Sequence, residues 1–320
     1  MLMADQQSKI IIDTDGGIDD AMALLYASHY TDVLALTLVF GNSDIDNVCS
    51  NVIHIQNAFR NKKKPKIYKG CHAPMFKNGC IGNIGEEVHG SDGLNDVFER
   101  IENVDDYIAD LHAVNALVKY ANEFPGEITL ILIGPATNAA LAHRLEESFS
   151  SKLKQVIFLG CSVYSRGQEY NLGTEFNVLN DAEAASIVLG EFQCPVAIVP
   201  YETCLKRQIP NDDYMESFAK NNTHSKFATK LFTSEIGLYS QQFRDKLPLD
   251  ACDVLAIAAA LFPDLITSFS EHAIYIETEG RCRGVSLVDW FDDKLSTPKI
   301  KIINDLDNEK YIQSFKAIFE

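Results

Sequence analysis

The stretch SKIIIDTDGGIDDAMALLYAS, residues 8–28, places four aspartates within eight positions directly after an apolar run. Ile10, Ile11 and Ile12 are β-branched and bounded by a Gly pair, whereas AMALLYAS has the composition of a helix. The stretch therefore reads as a buried strand, a tight turn and a helix. Asp13 ends the strand, Gly16 and Gly17 allow the turn, and Asp19 and Asp20 open the helix. The macrodipole and free N–H groups of a first helical turn favour carboxylates, so Asp19 can act as a cap. Capping does not account for Asp13 and Asp15. Like charges this close repel, and a hard cation among them removes the conflict. Ca2+ takes six to eight oxygens in flexible geometry, while Mg2+ keeps more water. The spacing is not that of an EF-hand, because the twelve-residue loop and its closing Glu are missing.

The same alternation continues outward. DVLALTLVFG, PKIYKG, ITLILIG, KQVIFLG and CPVAIVP are further apolar runs, separated by amphipathic segments such as DNVCSNVIHIQNAFR and TNAALAHRLEE. Six such strands in the first 200 residues predict an α/β fold with a doubly wound, mostly parallel sheet flanked by helices on both faces. After Pro200 the pattern turns helical over about 205–262, in NDDYMESFAK, SKFATKLFTSEIGLYSQQFR and DACDVLAIAAALF. EHAIYIET and GVSLVDW read as two late strands. No Pro-, Gly- or Ser-rich linker interrupts the chain, so one domain over 1–320 is expected. In open α/β sheets ligands lie outside the carboxyl ends of the strands. The segments there are DTDGGIDD, GNSD, HGSDGLND, GPATN, GCSVYSRGQEYNLGTEFN and YETC.

Composition narrows the function. The 320 residues are 46% hydrophobic and 23% charged, ample for a large core. A net charge of −17 repels nucleic-acid phosphates and anionic lipid, so neither nucleic acid nor membrane is expected as a partner. A neutral or cationic small molecule is easier to accommodate. MLMADQQSK does not read as a secretory signal, and the apolar runs are too short to span a bilayer. The eight cysteines are scattered without a C-x-x-C pair and read as reduced thiols of a cytoplasmic protein.

Two families begin in this way. A strand followed by D-x-D-G opens phosphatases of the haloacid dehalogenase type, where the first Asp is the nucleophile beside Mg2+; those carry Thr or Val where Gly17 stands. The whole stretch resembles the signature D-x-D-x-G-x-D-D-x-x-A of the nucleoside hydrolases, the inosine-uridine preferring type. Further segments agree in order: Gly41-Asn42, HGSDGL (89–94), GPATN (134–138), TEFN (174–177) with DAEAA after it, CDVLAIAAAL (252–261) and RGVSLVDW (283–290). The resemblance runs from residue 9 to about 290.

That resemblance implies hydrolysis of the N-glycosidic bond of ribonucleosides to free base and ribose, with a bound Ca2+. By position it implies Asp15, Asp20, Asp253 and the backbone carbonyl of Thr137 as metal ligands, and Asp15 as general base. Asp19, Asn42, His89, Glu175 and Asn177 are implied as substrate contacts, and Asp13 as a support behind the loop. A small-molecule ribonucleoside is the implied partner, in a homodimer or homotetramer. The chemistry agrees: base loss passes through an oxocarbenium-like transition state, which clustered carboxylates stabilise.

Several residues have plainer readings. Thr137 and Asn138 are helix-capping types, Asn42 suits a turn, and His89 suits a surface loop. Asn171 precedes Glu175 at a spacing that varies in the family. Tyr239, Phe243 and Arg244 form a stripe that reads as core or as a lid over the base. Two positions depart from the pattern: Gly16 replaces a usual Pro, and Cys252 replaces the His or Trp before the late Asp. A thiol beside Asp253 resists losing its proton, so Cys252 is expected to pack rather than act as an acid. A third reading, a binding protein without catalysis, conflicts with the full set of carboxylates.

Overall fold

A computed structural model of the chain describes residues 9–60, 64–76, 84–167, 173–234, 238–291 and 298–320. Each apolar run of the first 200 residues is a strand: β1 (Lys9–Thr14), β2 (Val33–Leu38), β3 (Lys66–Lys69), β4 (Ile128–Leu132), β5 (Gln155–Leu159) and β6 (Val196–Val199). All pairings among these six are parallel. The period of two along β1 divides its side chains between two cores. Ile10 and Ile12 pack with Met22, Leu25 and Val52 on one face, and Ile11 packs with Leu130, Leu132 and Phe158 on the other. Helices cover both faces, which is why the run carries no polar alternation.

The sheet is completed by β7 (Ile266–Ile276), β8 (Ser286–Val288) and β9 (Lys299–Leu306), in the order β3-β2-β1-β4-β5-β6-β9-β7-β8. β9 lies parallel to β6 and antiparallel to β7. The sequence reading did not assign β9. Its buried Ile300, Ile302 and Ile303 are interleaved with Lys299 and Lys301, so the run lacks the unbroken apolar character of the earlier strands. From β1 the chain winds outward through β2 and β3, then returns to β4 on the other side. The switch lies between β1 and β4, and the loops after both strands open a crevice there.

The region after Pro200 holds the helices Tyr201–Lys206, Asn211–Phe218, Thr223–Phe232, Leu238–Arg244 and Cys252–Leu261. The stretch SKFATKLFTSEIGLYSQQFR is thus two helices rather than one. Helix Cys252–Leu261 packs along helix Ile18–Tyr30, and Leu255, Ala258 and Ala259 share one buried core with Met22, Leu25 and Tyr26. That pairing brings Asp253 in the first turn of one helix beside Asp19 and Asp20 in the first turn of the other, far apart in sequence. No described helix is long and apolar enough to cross a membrane. The seven cysteines among the described residues form no disulfide; Cys80 and Asn171 lie outside them.

Candidate active site

The turn after β1 is built so that carboxylates face one another. Gly16 has φ +64°, a region that disfavours other residues. At Gly41 an added Cβ would lie 1.9 Å from Asp15 Oδ2, so only glycine lets the second strand's loop close on Asp15. The following residue makes use of that approach. The Asn42 backbone N–H donates to Asp15 Oδ2 at 2.9 Å, and its side-chain amide donates to Asp15 Oδ1 and Asp20 Oδ2, each at 3.1 Å. Asn42 therefore holds two carboxylates rather than serving only as a turn residue. Asp20 also accepts the Gly17 N–H at 2.8 Å and the Thr14 hydroxyl. The capping role lies with Asp20, not Asp19. Asp19 Oδ1 is buried with no hydrogen-bond partner among the described residues.

Asp253, in the first turn of Cys252–Leu261, completes the group. One oxygen each of Asp19, Asp20 and Asp253 lie within 4.8 Å of one another, and Asp20 also contacts Asp15. Asp15, Asp19 and Asp253 line a cavity of about 390 Å³, with Asn42, His89, Glu175 and Asn177. That volume suits a small organic ligand. Among the described residues no lysine or arginine lines it. Glu175 caps the helix Phe176–Asn180, accepting the N–H groups of Asn177 and Val178 at 2.9 and 3.0 Å. The Asn177 amide donates to the carbonyls of Ile133 and Leu159 at 3.3 and 3.0 Å. With both donors engaged, Asn177 has its carbonyl oxygen to offer a ligand.

The electrostatics follow from this packing. Burial, reinforced by the Asp20 charge, raises the Asp19 carboxyl to about 8. Asp15 and Asp253 are likewise held well above the usual range, by burial first and then by the neighbouring aspartates. Burial raises Glu175 to about 7. These shifts describe a carboxylate group lacking a positive partner. Together with the orphaned Asp19 oxygen, they mark a donor set of hard oxygens that fits a divalent cation.

His89 closes the helix Ile84–His89 rather than sitting in the Gly-rich loop, and only 6% of it is exposed. Its Nδ1 accepts the Ile18 N–H at 3.1 Å, and burial lowers its pKa to about 3. The ring is therefore neutral with its proton on Nε2. The Tyr239 hydroxyl donates to the Asp250 carbonyl at 3.0 Å, and the ring packs 5.3 Å from His89. Cys252 lines the cavity beside Cys204, and contact with that thiol, then burial, raises its pKa well above normal.

Some expectations change. Thr137 does not line the cavity; its hydroxyl donates to Asp181 at 2.7 Å. The residue from this segment that does line it is Ile133, just after β4. Neither Thr137 nor Asn138 caps the helix Thr137–Leu145, whose N-cap is Ala136. Asn138 instead ties three strand ends together. It donates to Asp13 Oδ2 at 2.8 Å and the Leu38 carbonyl at 2.9 Å, and it accepts the Cys71 N–H at 3.0 Å. Asp13 is fully buried under Thr37 and Asn138 and does not line the cavity. An attacking nucleophile needs access, so the phosphatase reading, which needs Asp13 as nucleophile, fails. Of the aromatic stripe only Tyr239 lines the cavity; Phe243 packs against Phe218 and Phe232, and Arg244 donates to the Ser234 carbonyl. Gln242, Asp250 and Cys204 line the cavity without having been singled out. The position of Asp250, three residues before Asp253, was the available signal.

Comparison with known proteins agrees with the geometry. Residues 10–313 match the family described as inosine-uridine preferring nucleoside hydrolase. The chain is 30% identical over 293 residues to uridine nucleosidase 1 of Arabidopsis thaliana, covering 89% of this chain and 82% of that one. Among solved structures it is similar to a plant nucleoside hydrolase, the PpNRh1 enzyme, with a TM-score of 0.86, 27% identity and coverage of 98% and 99% of the two chains. It is also similar to an inosine-guanosine nucleoside hydrolase, with a TM-score of 0.87, 25% identity and coverage of 98% of each. The chain belongs to the inosine-uridine preferring nucleoside hydrolase family, hydrolases acting on N-glycosyl compounds.

Proposed function

We propose that this chain hydrolyses ribonucleosides to free base and ribose with the help of a bound Ca2+, in nucleoside salvage or catabolism. The observation that carries the reading is that Asp15, Asp19 and Asp253 line one cavity, with Asp20 behind them beside Asp19 and Asp253, and that no cationic side chain among the described residues lines it. Such a lining suits an uncharged nucleoside and opposes a nucleotide phosphate.

Asp15, Asp20 and Asp253 would hold the ion, with Asp19 beside them, and the carbonyl of Ile133, which lines the cavity where Thr137 does not, would supply the backbone oxygen. When bound, Ca2+ supplies positive charge that lowers the pKa of water. Asp15, fixed through both oxygens by Asn42, takes the proton of the attacking water at its carboxylate. The cavity-facing oxygen of Asp19 accepts from one ribose hydroxyl, and the Asn177 carbonyl accepts from another. Glu175 addresses the far side of the sugar. The carboxylates then face the positive charge that develops on the ribose ring, in a site already organised for it.

A base-release assay tests this with uridine, inosine and their 5′-monophosphates. Free base from the nucleosides and little from the monophosphates is the expected outcome. A site that bonds a hydroxyl rejects the analogue lacking it by about 10⁴-fold or more, so 2′-deoxyinosine should be a very poor substrate. Comparable kcat/KM for inosine and 2′-deoxyinosine would remove Asp19 and Asn177 from the ribose site.

A further inference from the structure

A buried carboxylate that does not line the cavity gathers the turn after β5. Glu202, in the first turn of the helix Tyr201–Lys206, is 3% exposed. Its Oε1 accepts the Ser162 hydroxyl and the Tyr164 N–H, each at 2.8 Å, and its Oε2 accepts the Val163 N–H at 3.1 Å. The Ser162 hydroxyl in turn accepts the Gly167 N–H at 3.2 Å. Both carboxylate oxygens serve as acceptors, so a glutamine here would turn its NH2 against a donor.

Cys161 immediately precedes the gathered residues. It is fully buried and has φ +75°, the left-handed region that a residue with a side chain disfavours. Such a conformation persists where the surroundings impose it, and it concentrates at functional sites. Here the Tyr201 N–H donates to the Cys161 carbonyl at 3.0 Å, and Glu202 clamps the three residues that follow. Held in this way, the Cys161 N–H is directed at the Glu175 carboxylate and favours its charged form. Glu175 therefore has support from two sources: the N–H groups of Asn177 and Val178 in the helix that it caps, and Cys161 from the turn after β5.

We infer that Glu202 is a positioning residue for Glu175: by clamping the turn 162–164 it keeps Cys161 in its left-handed conformation and so fixes the carboxylate that meets the sugar. The inference rests on the nucleoside hydrolase reading above, in which Glu175 addresses the far side of the sugar from the hydroxyl that Asp19 holds. Asp19 is carried by the helix after β1, so its contact with the ribose is set separately.

The test is kcat/KM for uridine, 5′-deoxyuridine and 2′-deoxyuridine in the native chain and in Glu202→Gln. The 5′-hydroxyl is the sugar group remote from the 2′,3′ pair, and a hydrogen bond to a charged group is worth more than about tenfold. The preference for uridine over 5′-deoxyuridine should fall by about tenfold in Glu202→Gln, while the preference over 2′-deoxyuridine changes by less than about threefold. Residues that act through one another are not additive, so in a Glu175→Gln background the further change Glu202→Gln should alter the 5′ preference by less than about twofold. Ser162→Ala keeps the Glu202 charge, which also reaches Glu175, and removes one donor; it should lower the same preference by about threefold. It carries the test where Glu202→Gln does not fold. A 5′ preference that both variants leave unchanged, equal falls in the 5′ and 2′ preferences, or no 5′ preference in the native chain overturns the inference. If the native chain cleaves no riboside, the hydrolase reading has failed. If it cleaves uridine and the variants keep its 5′ preference, only the role of Glu202 has failed.

Discussion

Chelating the divalent ion should lower thermal stability at pH 8 far more than at pH 6. In the ion-free protein burial raises the carboxyls of Asp15, Asp19, Asp20 and Asp253, reinforced at Asp15, Asp19 and Asp253 by the neighbouring aspartates, with Asp19 near 8. The sign follows from proton counting. Between the ordinary value of 3.8 and about 8 the folded state holds protons that the unfolded chain has released. Stability without the ion therefore falls as pH rises through that window. The ion reverses this, because it binds the ionised carboxylates and competes with protons. At pH 8, an ion at about 100 times its Kd adds about 2.7 kcal/mol. Unfolding entropy of about 2.1 cal/mol/K per residue gives about 0.67 kcal/mol/K for this chain length, so the gain is about 4 °C in Tm. At pH 6, two units below the Asp19 value, the apparent affinity is about fiftyfold lower than at pH 8 through that group alone. The same ion concentration then adds about 0.6 kcal/mol, about 1 °C. Differential scanning fluorimetry with chelator, Ca2+ or Mg2+ at both pH values reads the effect, and Ca2+ should give the larger shift. An equal shift at pH 6 and pH 8, or none at pH 8, refutes the reasoning.

Asp20→Ala should abolish measurable base release and remove the Ca2+-dependent Tm shift, because it deletes a ligand and the partner of Thr14, Gly17 and Asn42; retained Ca2+ response by fluorimetry would reassign Asp20. Asn138→Ala strands the Cys71 N–H and removes two further buried bonds, which should cost about 3 kcal/mol and about 4–5 °C in Tm; a loss under about 1 kcal/mol in urea titration would show that the three strand ends do not depend on it. Cys252→Ser should lower kcat for inosine by less than about tenfold, or roughly 1.4 kcal/mol of barrier. Selective loss of inosine hydrolysis, with 4-nitrophenyl riboside spared, would make Cys252 the acid. Light scattering on the purified chain should give the mass of a homodimer or homotetramer, and a monomer would contradict that expectation.

The strand–turn–helix reading of residues 8–28 was legible because three signals agreed: a β-branched run, two glycines and an apolar helix. The other five parallel strands shared the first of these. β9 lacked it, since a strand near the sheet's antiparallel end alternates Lys and Ile. What sequence could not supply was which local role each polar residue would take. Thr137 and Asn138 stand at the start of a helix and have capping chemistry, yet tertiary partners claim both side chains. A cap gains one hydrogen bond, whereas Asn138 makes three by joining β1, β2 and the segment after β3.

The structure also changes how the leaving base can gain its proton. Apart from the carboxylates, the cavity side chains His89, Tyr239 and Cys252 carry a proton to give, and each is held in a form that resists doing so. His89 accepts a backbone N–H on Nδ1 and stays neutral down to about pH 3, so no imidazolium exists at neutral pH. The Tyr239 phenol is raised by burial and by the Asp19 charge, and its proton is committed to the Asp250 carbonyl. The Cys252 thiol is raised by its contact with Cys204 and by burial. An effective general acid has a pKa near the working pH, and none of the three does. The carboxylates of Asp15, Asp19 and Asp253, which line the same cavity, suit by contrast a positively charged sugar. On the proposed reading the work of catalysis therefore falls on the ribose side, through stabilisation of the oxocarbenium-like transition state, with solvent supplying the proton as the base departs.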